Sequence, residues 1–127
     1  MDETGRRGIL HHILDAISYI EKFSSKITFA ADLKDKPLER AGIERMLTII
    51  GEAAKNVSPQ LRKEFPDILW KATAGMRDKI MHHYFGVDYE AVFETIRIDL
   101  PVLKQGIHAI LASREKRKKP ETNSSKK

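Results

Sequence analysis

The chain has 127 residues, of which 41% are hydrophobic and 32% are charged, a composition that suits one globular domain with a modest core. It contains no cysteine, which excludes disulfide scaffolds, cysteine-ligated metal centres and thiol nucleophiles. Its apolar runs are interrupted within about five residues, far short of the roughly 20 that a membrane-spanning helix needs. We recognise no signal peptide and expect a cytoplasmic protein without membrane contact.

The formal net charge of +5 is confined to the end of the chain. Residues 113–127 carry seven basic and two acidic side chains, so residues 1–112 carry 16 of each. Because this body is neutral, the overall basicity does not by itself indicate a nucleic-acid-binding domain. We interpret the basic run at 114–119 mainly as a solvated helix end, and salt-sensitive attraction of phosphates is the alternative. We therefore predict a domain at 1–113 and a basic, disordered tail at 114–127.

Apolar residues at steps of three and four predict amphipathic helices from the N-terminus onward. The first long helix is expected at residues 6–28 and the second at 37–57, where a proline takes the first position. The polar stretch at 31–36 between them is expected to be a connection. Ser58 predicts the N-cap of a short third helix, because a proline follows it directly.

The second half of the chain predicts a brief helix and then a long one. Residues 76–83 are expected to be helical, between Gly75 and Asp88. Asp88 is the predicted N-cap of the last helix, at 88–113, and Pro101 inside it predicts a kink or restart near residue 99. The pattern indicates an all-α, up-and-down bundle of four to five main helices. The wide apolar stripes of so small a bundle favour dimerisation.

Most signatures of cofactor and metal sites are absent from the sequence. There is no glycine-rich phosphate loop, no dinucleotide fingerprint and no zinc helix of the H-E-x-x-H type. No histidine follows a carboxylate at the i+3 spacing of helical di-iron sites. Adjacent histidines on a helix diverge by about 100°, so neither histidine pair can chelate a metal alone. We expect neither a cofactor nor a metal site.

Residues 75–88 concentrate side chains that could act on a phosphodiester. Arg77 supplies a permanent cation that could bind a phosphate and stabilise the charge developing on it. His82 could move the proton of a ribose 2′-OH, because the ordinary pKa of imidazole lies near neutral pH. This chemistry needs neither a metal nor a covalent nucleophile. An amphipathic helix with solvated charges is the competing interpretation of the same residues.

Helix geometry restricts how these residues could form one site. On an ideal helix, Arg77 and His82 lie about 140° apart around the axis, whereas Asp78 and His82 are one turn apart and can touch. Either the helix unwinds near His83, or a second copy of the segment completes the site. The second possibility predicts a homodimer with a composite cleft.

The pattern Arg77-x4-His82-x-Tyr84, followed by Phe85-Gly86-Val87-Asp88, resembles the HepT-like branch of the HEPN superfamily. The segments at 13–17, 49–55, 65–70 and 99–101 are also similar to this family. The resemblance extends over roughly residues 8–112 and therefore excludes the basic tail.

This resemblance implies a HEPN-like fold and the toxin of a type VII-like toxin–antitoxin pair, namely a homodimeric, metal-independent endoribonuclease. Carried over to this chain, Arg77 binds and stabilises phosphate and His82 is the acid/base. Tyr84 accepts AMP from an MNT-type nucleotidyltransferase antitoxin, which would occlude the RNA site and repel the substrate. We add Asp78 as a supporting residue that orients a motif side chain.

A non-catalytic function is the second hypothesis. The chain could be a dimeric helical module that binds a nucleotidyltransferase partner or a nucleotide. The intact Arg77, His82 and Tyr84 favour the ribonuclease. The neutral body favours the binding module, because enzymes acting on RNA usually present a basic face.

Overall fold

The computed structural model describes the backbone of residues 3–82 and 86–125, and the side chains of residues 8–80 and 86–113. The described chain is an all-α bundle, as predicted. Three long helices dominate this part of the chain: α1 (Glu3–Phe23), α3 (Pro37–Lys55) and α8 (Leu100–Ser125). Short helices connect them: α2 (Ala30–Asp35), α4 (Pro59–Glu64), α5 (Trp70–Ala74), α6 (Met76–Ile80) and α7 (Tyr89–Glu94).

Non-α elements occupy three positions in the described chain. A 3₁₀ turn at Ser24–Lys26 follows α1, and a π-helical turn at Thr95–Asp99 joins α7 to α8. Two short strands, β1 (Met81–His82) and β2 (Gly86–Val87), pair antiparallel between α6 and α7.

The core forms mainly where α1 packs on α3, the most extensive helix–helix contact in the described chain. Both helices bury residues at steps of three and four, which gives each an apolar face toward the other. The fully buried members are Leu10, Ile13, Ile17 and Ile20 of α1 with Ile43, Leu47 and Ile50 of α3. Each such side chain contributes about 1.5–3 kcal/mol of hydrophobic stabilisation. Within the described residues, no helix combines the length and apolarity needed to cross a bilayer.

The first helix ends earlier than predicted. It was expected to reach residue 28 but gives way to the 3₁₀ turn after Phe23. Here the Ser24 hydroxyl donates to the Glu21 carbonyl at 3.3 Å, and the Ser25 hydroxyl donates to the Lys22 carbonyl at 2.9 Å. Serine hydroxyls that bond nearby carbonyls compete with the regular helix ladder, which accounts for the early end.

The prediction that residues 31–36 form only a connection is wrong, because α2 lies there. The Asp32 carboxylate accepts hydrogen bonds from the backbone N–H groups of Thr28 at 2.8 Å and Phe29 at 2.9 Å. Both bonds lower the pKa of Asp32, and the bond from Phe29 is the larger cause. They also fix the start of the helix. Leu33 is fully buried, so α2 also contributes to the core.

The predicted helix caps are confirmed. The Ser58 hydroxyl accepts from the Leu61 N–H at 3.1 Å, and the Asp88 carboxylate accepts from the Ala91 N–H at 3.0 Å. The expected irregularity before Pro101 is the π-helical turn, in which the Leu100 N–H bonds to the Thr95 carbonyl. A wider turn at this point accommodates a proline ring that would otherwise crowd the preceding turn.

The backbone of α8 continues as helix to Ser125, beyond the predicted domain boundary at residue 113. The side chains beyond 113 lie outside the described residues. The division into a domain at 1–113 and a tail at 114–127 stays a prediction.

Two contacts fix the position of α6 in the bundle. At Gly51 of α3, an added Cβ would lie 3.1 Å from the carbonyl oxygen of Ala74, so any larger residue would require the end of α5, next to α6, to shift by a few tenths of an ångström. On the other side, the Lys79 ammonium contacts the carboxylates of Asp99 at 3.1 Å and Glu94 at 3.6 Å. The hydrogen bond to Asp99 is the main cause that raises the pKa of Lys79.

The ion pair predicts a small, pH-dependent contribution to stability. Lys79→Gln is expected to lower the free energy of unfolding at pH 7 by less than about 1 kcal/mol, because half-exposed pairs are screened by solvent. Since folding raises the pKa of Lys79, the contribution is complete below the ordinary value of 10.5. It is lost as the pH rises through the folded-state pKa above that value.

A double-mutant cycle of Lys79→Gln and Asp99→Asn, measured by urea unfolding, isolates the coupling energy between these two side chains. The coupling energy should be favourable at pH 7 and vanish in strongly alkaline buffer. A coupling that persists after lysine deprotonation would contradict the assignment.

Candidate functional site

Helix α6 presents Arg77 and Asp78 to solvent. Its first helical hydrogen bond runs from the Lys79 N–H to the Gly75 carbonyl at 3.1 Å. Met76 and Ile80, one turn apart, are buried in the core. Because these two side chains hold one face of the helix inside, the residues between them lie on the opposite, exposed face.

Arg77 and Asp78 have no hydrogen bond or ion pair with any other side chain in the described regions 8–80 and 86–113. A guanidinium that already served a structural role would be paired, as Arg97 is with the Ile27 carbonyl at 2.6 Å. Arg40 is likewise engaged, with the Leu33 carbonyl at 3.1 Å. Arg77 therefore differs from these two arginines in being available to an anionic ligand.

The motif helix ends sooner than the sequence indicated. Residues 76–83 were expected to be helical, but α6 stops at Ile80. The Ile80 carbonyl accepts the backbone N–H of Asp88 at 2.8 Å, so it is engaged by a residue eight positions ahead rather than by a continuing helix. The unwinding that the sequence left open is observed, and it begins before His82 rather than near His83. The second copy that could complete the site stays a prediction.

The backbone of His82 belongs to β1 and pairs with Gly86 of β2. Gly86 has φ of +80°, a conformation that glycine adopts without strain. Arg77 and His82 thus stand on two consecutive elements, and the 140° separation of a single ideal helix does not apply. The side chain of His82 and the whole of Tyr84 lie outside the described residues, so their predicted roles stay predictions.

An apolar groove of about 730 Å³ lies beside the motif helix. Met76 and Lys79 of α6 form one wall, and the start of α8 forms the other. At its edges Leu69 is 72% exposed and Val102 is 66% exposed. The sequence analysis missed this surface, although the family-like segments at 65–70 and 99–101 both contribute to it.

A second groove, of about 470 Å³, adjoins the opposite side of Lys79. It contains both signs of charge, because Glu90 and Glu94 lie near Arg97. Arg97 also stacks its guanidinium on the Phe93 ring, 5.0 Å from the ring centre, which places that cation in a structural role. In contrast to Arg77, these charges are largely matched within the groove.

The geometry can support phosphate chemistry. An exposed guanidinium with no partner in the described part of the chain lies five residues before an imidazole in the sequence, and the chain changes from helix to strand between them. A guanidinium binds phosphate oxygens through paired N–H donors, and an imidazole can transfer protons at neutral pH. These residues were identified from the sequence, but Lys79, which fixes the helix that carries Arg77, was not, because its partners Glu94 and Asp99 lie 15 and 20 residues further along the chain.

Comparisons with known proteins find relatives that are named as ribonucleases. A 44% identical relative is the "Probable ribonuclease HepT" of Thermococcus cleftensis, with 75% of this chain and 86% of that protein aligned. A "Putative RNase" of Caldanaerobacter subterraneus subsp. tengcongensis is 41% identical over 83% of this chain and 93% of its own length. Another "Putative RNase", from Methanocaldococcus jannaschii, is 35% identical over 88% of this chain and 98% of its own length.

No solved structure was found to match the chain. The family model described as "Ribonuclease HepT-like" matches residues 13–110. This span includes all four segments of family resemblance together with the complete Arg77-x4-His82-x-Tyr84 motif. The chain therefore belongs to the HepT-like ribonuclease family.

Proposed function

We propose that this protein is a metal-independent endoribonuclease whose site is built on Arg77 and His82. The observation that carries the proposal is the exposed Arg77 on α6, which has no ion pair or side-chain hydrogen bond among the described residues and lies just before the point where the helix gives way to β1. The ribonuclease names of its relatives support RNA as the substrate.

The proposed reaction uses the RNA's own 2′-OH as nucleophile. An imidazole at His82 accepts the 2′-OH proton while the oxygen forms a bond to phosphorus. The bond from phosphorus to the 5′-oxygen breaks, and that oxygen takes up a proton from an imidazolium. The products are a 2′,3′-cyclic phosphate and a 5′-OH end. Arg77 stabilises the charge on the phosphate during the transfer, and Asp78 orients a motif side chain.

The toxin–antitoxin role is proposed from the same motif. Tyr84 is the proposed acceptor of AMP from an MNT-type nucleotidyltransferase antitoxin. Each added AMP carries about one negative charge on its phosphodiester, by analogy with other phosphate modifications. Tyr84 is seven residues from Arg77 in the sequence. Such a phosphate could therefore bind the Arg77 guanidinium in place of an RNA phosphate.

We further propose that two copies pair through the apolar groove beside α6, so that both motif sets face one cleft. Leu69 and Val102 are large apolar side chains left exposed there, and burying them would stabilise a dimer. Because Met76 and Lys79 line the same groove, a second copy seated on it would lie against the motif helix.

Substitution of the motif tests the ribonuclease proposal. Arg77→Ala and His82→Ala should each reduce RNA cleavage by about 10²-fold or more, because phosphate stabilisation and proton transfer each contribute at least that much. Arg45→Ala and His108→Ala, at exposed positions on α3 and α8, are the matched controls and should retain activity. Cleavage should survive EDTA and leave 2′,3′-cyclic phosphate ends.

Wild-type activity in His82→Ala would eliminate the mechanism. A wild-type protein that cleaves no RNA but binds a nucleotidyltransferase would favour the non-catalytic module instead.

Sedimentation tests the pairing. The wild-type protein should be a dimer at tens of micromolar, and Val102→Glu should shift it to monomer and reduce cleavage, because a charge in the groove is costly to bury. Leu38→Glu is the matched control: Leu38 is 83% exposed on α3 and does not line the groove. A monomeric wild type, or a Val102→Glu protein that remains dimeric, would contradict this proposal.

Tyr84→Phe tests the regulation. The variant should fold and cleave RNA as the wild type does but resist inactivation by the cognate nucleotidyltransferase and ATP. Mass spectrometry of the wild type should locate one or more AMP groups on Tyr84. A label on another residue, or loss of activity in Tyr84→Phe on the same treatment, would refute the assignment.

A further inference from the structure

The charge of this protein is segregated along its sequence. Residues 1–112 are neutral, and the entire net charge of +5 belongs to residues 113–127. A neutral body provides no net attraction for a polyanion such as RNA, whereas a cluster of seven cations does. We propose that residues 114–127, here called the basic arm, bind the RNA strand that flanks the cleavage site; this rests on the proposed ribonuclease function.

The fold places the basic arm at a defined distance from the motif. Helix α8 begins at Leu100, directly after Asp99, which pairs with Lys79 of the motif helix. The first basic residue of the arm, Arg114, follows 15 positions later on a continuous helical backbone. At a rise of 1.5 Å per residue, the arm therefore starts on the order of 20 Å along α8 from Asp99, the residue that contacts α6.

This distance separates the arm from the reacting phosphate. Stacked nucleotides in one strand rise about 3.4 Å each, so roughly six nucleotides span the gap. The arm is thus a substrate-binding element outside the catalytic site. It should increase the affinity for long RNA and leave very short RNA unaffected.

The composition of the arm favours a nucleic acid over a membrane. Residues 113–127 contain no large apolar side chain. Helices that lie in a membrane surface need an apolar face to insert as well as a basic one. Binding to phosphates along a polynucleotide needs only the cations, because released counterions supply the driving force.

The test compares two variants that lose the same charge. In the arm variant, Gln replaces five basic residues: Arg114, Lys116, Arg117, Lys118 and Lys119. In the control variant, Gln replaces five exposed lysines of the body: Lys26, Lys34, Lys55, Lys63 and Lys71. Both are made in the full chain with Arg77→Ala, so that binding of a single-stranded 20-nucleotide RNA is measured without cleavage.

The arm variant should bind this RNA about tenfold to a hundredfold more weakly at low salt, with a salt dependence reduced by about 2–3 in log–log slope. The control variant should retain the affinity and slope of the parent. A tetranucleotide should bind equally to all three proteins. Equal losses in both variants, no loss in the arm variant, or arm-dependent binding to anionic lipid vesicles but not to RNA would overturn the proposal.

Cleavage assays with Arg77 intact separate this proposal from the ribonuclease itself. If the arm variant and the wild type cleave the 20-nucleotide RNA with the same KM, the arm proposal fails and the ribonuclease stands. If neither cleaves RNA while binding still depends on the arm, the ribonuclease fails and the arm stands.

Discussion

The arrangement of the candidate site depends on the two hydrogen bonds made by Asp88. Its backbone N–H binds the Ile80 carbonyl at 2.8 Å and ends α6, while its carboxylate binds the Ala91 N–H at 3.0 Å and begins α7. One residue therefore links the end of α6 to the start of the next helix. Without the first bond, α6 could continue through His82, and an ideal helix would direct Arg77 and His82 about 140° apart.

Three of the four segments of family resemblance, all but the one at 13–17, converge on α5 and α6. Gly51, from the segment at 49–55, lies against the Ala74 carbonyl. In the segment at 65–70, the Trp70 indole donates to the Phe65 carbonyl at 3.1 Å and fixes the entry to α5. Asp99, from the third segment, holds Lys79. In these three segments, similarity outside the motif coincides with contacts that position the motif helix, which carries the exposed Arg77.

Local chemistry determined which features could be predicted from the sequence. The long helices, the caps at Ser58 and Asp88 and the irregularity before Pro101 each have a signal within a few residues, and all were predicted. The end of α6 was not, because its cause is a hydrogen bond from a residue eight positions ahead. Helix α2 was missed because its polar sequence conceals one buried leucine and a carboxylate that bonds backward. The Lys79–Asp99 pair spans 20 residues and has no local pattern.

The proposed dimer and the proposed basic arm would each strengthen the electrostatic attraction between RNA and the neutral body of this protein. A phosphate 4 Å from one exposed guanidinium gains only about 1 kcal/mol in water, too little to hold an RNA strand on a neutral body. Two routes can strengthen this attraction. A second copy would add another Arg77 and exclude water from the cleft, which lowers the effective dielectric constant. Remote cations on α8 would instead hold the strand without entering the cleft. The dimer would strengthen contacts at the reacting phosphate, whereas the basic arm would bind the phosphates of flanking nucleotides. The two therefore act on different parts of one RNA substrate.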